Sequence, residues 1–173
     1  MHMPAMNDFT NFTIGQSIAR VEDSRFITGR GRYIGDVNLP GQAHAAVLRS
    51  PHASAAIRSI DTGPARASPE VLGVFTAQDL GSELGTTSIS VKRRRPDGSP
   101  MFWRAHPGLA TDRVRYVGDP VALVVAETAA QAKDAAELIE VDYDPGAAVS
   151  VILSALDPAR PAVWDECPDN VSN

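Results

Sequence analysis

The sequence is poor in cysteine, in basic excess and in long apolar runs, and each shortage excludes a class of protein. Cys167 is the one cysteine among 173 residues. That rules out an internal disulfide framework, a Cys-ligated iron–sulfur cluster and a structural zinc site of the cysteine type. The longest strongly apolar run, Pro120–Ala126, is far short of the roughly 18 residues that suggest a membrane span. The first twenty residues have neither a basic start nor an apolar core, so they do not read as a signal peptide. The glycosylation patterns at Asn11-Phe12-Thr13 and Asn170-Val171-Ser172 therefore carry no weight, and the cytoplasm is the expected compartment. Sixteen Lys and Arg stand against twenty-one Asp and Glu, and a net charge of −5 argues against a general nucleic-acid binder.

What is present is a globular composition, 43% hydrophobic and 21% charged, at a length that suits one domain or slightly more. A chain of this size buries roughly 70% of its extended surface, enough for a core without staples. Up to about residue 35 the chain is polar, rich in Gly and Arg and without periodicity, the pattern of an extended arm. Strands and short helices then alternate. Residues 44–48 read as a strand after the turn Leu39-Pro40-Gly41, and Pro51 ends it. Residues 57–61 read as a second strand, 62–68 as a short helix, Val71–Thr76 as a third strand and Ala77–Leu80 as one helical turn. Residues 81–107 form a loop punctuated by Pro96, Gly98, Pro100 and Pro107, and loops this long are usually functional or partly disordered. Residues 114–117 and 121–126 read as strands broken by Gly118-Asp119-Pro120. Thr128 as N-cap with Gln131 makes a capping box, and Ala132, Ala135, Ala136 and Ile139 form one helical stripe. Residues 140–144 alternate with period two as a half-exposed strand, and the tail from Ala147 is Pro-rich and weakly patterned.

Chemical motifs fail one after another. No phosphate loop occurs, and Gly29-Arg30-Gly31 is followed by Ile34 where a dinucleotide fingerprint needs glycine, so a flexible turn is favoured. Gly15-Gln16-Ser17 begins like a nucleophile elbow but has no strand before it and ends on Ala19. Cys167 has no nearby His to generate a thiolate. His2, His44, His52 and His106 lack metal-ligand spacing and read as surface or hydrogen-bonded residues. Glu140, Asp142 and Asp144 share a strand face, an acid ladder for a hard cation or, more simply, a solvated face opposite Val141 and Tyr143. Lys92, Arg93, Arg94 and Arg95 are partner-contact candidates for a phosphate or an acidic surface, against the plain reading of a solvated loop. Met101-Phe102-Trp103 places three large apolar side chains in a breaker-rich loop, where they either plug a local core or present a hydrophobic contact. No catalytic constellation emerges.

Three stretches together resemble one family. Ile14-Gly-Gln-Ser17, Arg20-Val-Glu-Asp23 and Thr28-Gly-Arg-Gly-Arg-Tyr33, with Asp36 and Leu39-Pro-Gly41, are similar to the start of the large subunit of molybdenum hydroxylases. This is the family of xanthine dehydrogenase, aldehyde oxidase and carbon monoxide dehydrogenase. Ala45-Ala-Val-Leu-Arg-Ser-Pro-His52 with Ile57-Arg-Ser-Ile-Asp61 resembles the next segment, and residues 109–127 with 132–143 the end of the same region. After Tyr143-Asp-Pro145 the family usually continues Leu-Pro-Ala-Val, whereas Gly146-Ala-Ala-Val149 stands here.

The resemblance implies an α/β (α+β) fold, a mixed-sheet α/β-hammerhead domain over residues 36–150. An extended arm (1–35) would precede it, and a Pro-rich tail (151–173) would lead toward a molybdopterin-binding domain. The family's cofactor-binding segments and its catalytic glutamate have no counterpart in these residues, so no catalytic, cofactor-binding or metal residue is assigned. In the family the loop before the Leu-Ala-x-Asp segment approaches the substrate funnel, which makes Phe102, Trp103 and Arg104 substrate-entrance candidates. The reaction implied is oxidative hydroxylation of an aldehyde, N-heterocycle or related carbon centre, with oxygen from water. A molybdopterin cytosine dinucleotide-type cofactor, iron–sulfur clusters and FAD would sit on partner chains: a molybdopterin-binding, an iron–sulfur and a flavin subunit. The chain would then be a split subunit or a fragment, with no catalysis of its own. The alternatives are a non-catalytic assembly or binding module of the same fold, and an adaptor for nucleic acid or an acidic partner using residues 92–95, which the net charge disfavours.

Overall fold

The computed structural model describes residues 20–87 and 93–172, and the chain divides into two compact units, Met1–Gly41 and Gln42–Asn173. Ser17 and His2 lie outside the described residues, as does Lys92. In the first unit a short helix, α1 (Asp23–Ile27), is followed by a 3-10 turn at Ile34–Asp36. The Phe26 and Tyr33 rings stack at 5.3 Å and 9° between planes. Gly29 at φ +69° turns the chain between them, and a side chain at Gly31 would collide with the Phe26 ring. Those two positions account for the glycines of the Gly-Arg-Gly motif without a phosphate.

The second unit runs through β1 (His44–Arg49), β2 (Ala55–Asp61), α2 (Gly63–Arg66), β3 (Val71–Thr76), α3 (Ala77–Leu80), β4 (Thr86–Thr87), β5 (His106–Pro107), β6 (Arg113–Val114), β7 (Pro120–Ala126), α4 (Ala129–Glu137) and β8 (Glu140–Pro145). The expected mixture of short helices and strands is what forms. Every strand pair among the described residues is antiparallel, in three small sheets ordered β1-β7-β3, β6-β2-β8 and β4-β5.

The central strand β7 (PVALVVA) is buried along most of its length, which suits a continuous apolar run containing three valines and flanked by strands on both sides. Helix α4 begins with the expected capping box: the Thr128 hydroxyl accepts from Gln131 N–H at 3.3 Å, and Gln131 Oε1 accepts from Thr128 N–H at 2.9 Å. Its stripe is made of small residues, so Ala135 and Ala136 pack closely on Val74, Ala122 and Val124 of the first sheet. A second cluster joins Ala55, Ala110, Val114 and Val121. Ile60 and Val141 pack against both clusters, so the two sheets share one apolar body.

Two regions depart from the sequence expectation. Residues 114–117 do not form a strand; β6 is only Arg113–Val114. Tyr116 O accepts from Asp119 N–H at 3.1 Å across a four-residue turn, with Gly118 at φ +92° in the third position, where a type II turn takes glycine. The turn outcompetes the strand because Tyr116 and Val117, both exposed, have no apolar surface to pair over.

In the long loop the described residues carry more regular hydrogen bonding than its breakers suggest. Its base is closed by β4 on β5 and by Gly108 N–H to Gly85 O at 2.8 Å. Within it Arg94 bridges to Pro100, Gly98 N–H reaches Arg95 O, and Arg95 N–H reaches Ser99 O, both at 2.9 Å. Pro96, Asp97 and Gly98 (φ +84°) thus build a three-residue hairpin connection, the arrangement that places glycine in the left-handed region. The Asp97 carboxylate accepts from the Ser99 hydroxyl and N–H, which holds it below the usual carboxylate range.

Candidate functional site

The hairpin delivers Phe102, Trp103 and Arg104 to one side of a groove of about 470 Å³. The opposite side comes from the tail, including Val151, Ile152, Val163 and Trp164. The tail has little secondary structure to position it, so side chains and terminal backbone groups hold it to the hairpin. Phe102 N–H donates to Ser172 O and the Ser172 hydroxyl donates to Phe102 O, both at 2.9 Å. Arg95 Nη1 meets Asp169 Oδ2 at 2.8 Å, and its Nη2 donates to Val171 O. Arg104 pairs with Glu166.

Trp164 is the hub of this arrangement. Its ring lies 6.4 Å from Phe102, the Arg104 guanidinium stands 5.4 Å from its centroid and the Arg115 guanidinium 4.0 Å. Burial disfavours the charge on Arg115, and its Nε has no hydrogen-bond partner among the described residues. The electron-rich indole face stands in for that missing partner. Cys167 is buried beside Arg95 and Asp169. Burial, reinforced by the Asp169 carboxylate, pushes its thiol up, which makes it an inert structural cysteine rather than a nucleophile. Asp169 itself is held down, first by Val171 N–H and then by the Cys167 and Arg95 contacts.

Phe102, Trp103 and Arg104 are therefore brought together at one groove. The basic cluster is divided: Arg95 is turned inward to the tail, Arg94 donates to Gly98 O at 2.8 Å, and Arg93 is exposed. Glu140, Asp142 and Asp144 lie on the exposed face of β8, with Asp144 paired to Arg58 at 2.9 Å. His52 packs edge-on to Tyr143 at 4.9 Å, and His106 Nε2 lies 3.2 Å from Asp119 Oδ1. Asp119, 1% exposed, also accepts from Arg115 N–H, so it fastens the base of the long loop to the turn before β7. Sequence reasoning missed Trp164, Glu166, Asp169 and Arg115. A lone tryptophan in a Pro-rich tail was the one available signal.

Among the described residues no three His, Cys, Asp or Glu side chains cluster as metal ligands do. No helix among them is long and apolar enough to cross a membrane.

Residues 28–146 match the family described as aldehyde oxidase and xanthine dehydrogenase, a/b hammerhead domain. The chain belongs to this family. The hammerhead chain is 39% identical over 167 residues to the nicotine 6-hydroxylase large subunit of Paenarthrobacter nicotinovorans, which covers 94% of the chain and 19% of that relative. It is 36% identical over 161 residues to the carbon monoxide dehydrogenase large chain of Afipia carboxidovorans, 88% of this chain and 18% of that one. Its fold matches the crystal structure of quinoline 2-oxidoreductase from Pseudomonas putida 86 with a TM-score of 0.68 and 41% identity, covering 83% of this chain and 18% of that one. Against the aldehyde oxidoreductase of Desulfovibrio gigas the TM-score is 0.71 at 29% identity, over 86% and 16%. The hammerhead chain thus spans about a fifth of the length of these relatives. The tail that completes the groove lies beyond the span matched by the family model.

Proposed function

We propose that this chain is the hammerhead portion of a molybdenum hydroxylase acting on an aldehyde, an N-heterocycle or a related carbon centre. It works with a molybdopterin cytosine dinucleotide-type cofactor held either by a partner chain or by the remainder of a longer large subunit, with iron–sulfur and flavin subunits completing the complex, in the cytoplasm. Its own role is structural, together with lining the substrate entrance. The observation that carries this reading is the family match over residues 28–146 combined with coverage of only about a fifth of each relative. Two features of the surface support it. Val151, Ile152, Leu153 and Leu156 are exposed side by side along the tail, at 58%, 88%, 81% and 61%, which suits a face covered in an assembly. The groove, which Val151 and Ile152 also line, is walled by Phe102, Trp103 and Trp164 and includes Arg104 in its lining, a chemistry suited to a flat, largely apolar molecule. Among the described residues of the basic cluster, Arg93 and Arg94 are exposed on the hairpin and can meet an acidic partner surface.

Native mass spectrometry and molybdenum analysis of the protein purified from its own cells test the assignment. Co-purification with a molybdenum-bearing chain is the expected result; a clean monomer without metal refutes it in favour of a non-catalytic module. The entrance role is tested separately in the assembled complex by F102A and W103A. A raised KM with little change in kcat is expected, and unchanged kinetics would overturn it.

A further inference from the structure

Asp119 is the one buried charged side chain among the described residues. A carboxylate taken out of water is costly unless its oxygens are engaged. Here each oxygen goes to a different segment of the chain. Oδ1 faces His106 Nε2 at 3.2 Å, and Oδ2 accepts from Arg115 N–H at 2.9 Å. Its backbone is fixed as well: the N–H donates to Tyr116 O at 3.1 Å and the C=O accepts from Ser50 N–H at 2.9 Å. Asp119 immediately precedes β7, the middle strand of the first sheet. The carboxylate is therefore rooted in the sheet and reaches outward with both oxygens.

Each oxygen leads to one wall of the groove. His106 follows Phe102, Trp103 and Arg104 with only Ala105 between, so holding its ring fixes the end of the segment that forms the hairpin wall. Arg115 lays its guanidinium on Trp164 at 4.0 Å, and Trp164 stands in the opposite wall. On the solvent side Arg104 and Glu166 tie the walls together, but both are half exposed, and ion pairs of that kind contribute little. Hydrogen bonds to a buried carboxylate are the stronger class. The firmer hold on the two walls thus comes from below, through one residue.

We propose that Asp119 is a positioning residue that sets both walls of the groove from inside the sheet. It does not line the groove itself. Oδ1 places the hairpin wall through His106, and Oδ2 places the tail wall through Arg115 and Trp164. The two arms leave from different oxygens, so they are separable. An asparagine keeps both: its amide oxygen accepts from Arg115 N–H, while its NH2 donates to His106 Nε2 in the other imidazole tautomer. An alanine keeps neither. The consequence for substrate rests on the entrance role proposed above; the placement of the walls does not.

Trp103 and Trp164 are the two tryptophans of the chain, one on each wall. The full chain labelled with fluorotryptophan therefore gives one fluorine NMR resonance per wall, assigned with W103F and W164F. His106→Ala, at a half-buried site, leaves Oδ2 on Arg115 and is expected to shift Trp103 while Trp164 stays in place. Asp119→Ala is expected to shift both resonances, and Asp119→Asn to return both to near their wild-type positions. Should Asp119→Ala fail to fold, His106→Ala and Asp119→Asn carry the test. Neither resonance shifting, both shifting equally in His106→Ala, or no recovery in Asp119→Asn overturns the proposal. In the assembled complex Asp119→Ala should raise KM about tenfold at nearly unchanged kcat, the effect of one charge-assisted hydrogen bond lost from substrate placement. Raised KM with unshifted tryptophans overturns the positioning role. Unchanged KM with shifted tryptophans supports it and overturns the entrance role instead.

Discussion

Replacing Trp164 by alanine separates the stability of the groove from that of the sheets. The ring contact with Phe102 at 6.4 Å contributes about 0.5–1 kcal/mol beyond its buried area. The guanidinium contacts of Arg104 and Arg115, at 5.4 and 4.0 Å, contribute about 0.5–1 kcal/mol each, the second being the stronger because Arg115 is desolvated. Neighbouring terms do not add fully, so W164A is expected to loosen the hairpin–tail junction by about 2 kcal/mol. The change is local, because the junction touches neither of the two core clusters. The reporter is the Phe102 amide, whose N–H is bonded to Ser172 O across the junction. Native-state hydrogen exchange at Phe102 should accelerate about 30-fold, the population shift for 2 kcal/mol. Exchange at Val124, in the middle of the β1-β7-β3 sheet, should not change. An unchanged Phe102 rate would mean that the backbone bonds alone hold the tail. Equal acceleration at both amides would mean that the tail is part of the global folding unit, and either result refutes the reasoning.

Thr128→Ala removes the hydroxyl that caps α4 and should cost about 1 kcal/mol, a fall in Tm of roughly 3 °C by calorimetry. Val124→Ala leaves a cavity under α4 and should cost about 2–3 kcal/mol, read from the urea midpoint at unchanged m-value. Asp79 has its carboxyl held below the ordinary range by the Thr76 hydroxyl and N–H and by Arg66. The folded state therefore binds that proton less readily than the unfolded state, and the stability Asp79 contributes is fully present above the ordinary carboxylate range. It is lost as pH falls through the folded value, so the urea-stability gap between wild type and D79N should be open at pH 7 and close below about pH 4. Cys167, buried with its thiol pushed up, should react slowly with a disulfide reagent at pH 8. Its labelling rate should rise with W164A, because opening of the tail limits the reaction.

What could be read without the structure was whatever a short stretch of chain decides for itself. The Thr128–Gln131 capping box, the alanine stripe of α4, the limits of β3 and the alternation in β8 each depend on residues a few positions apart. Their signals therefore reside in the local sequence. The turn at Gly118 and the hairpin at Pro96-Asp97-Gly98 were half legible: the breakers marked interruptions, but whether an interruption ends a strand or builds a hairpin depends on what the flanking residues meet. Tertiary structure alone decided the groove. Arg95 finds Asp169 74 positions away, Arg104 finds Glu166 62 away, and Trp164 collects Phe102 and two arginines from across the chain. No periodicity encodes such pairs, because the entropy of closing those loops is offset by the folding of the sheets between them rather than by the pair itself. The half-paired β2 is of the same kind. Its sequence reads as an ordinary strand, and the two-residue length of β6 leaves its second half with β8 as its one strand neighbour among the described residues.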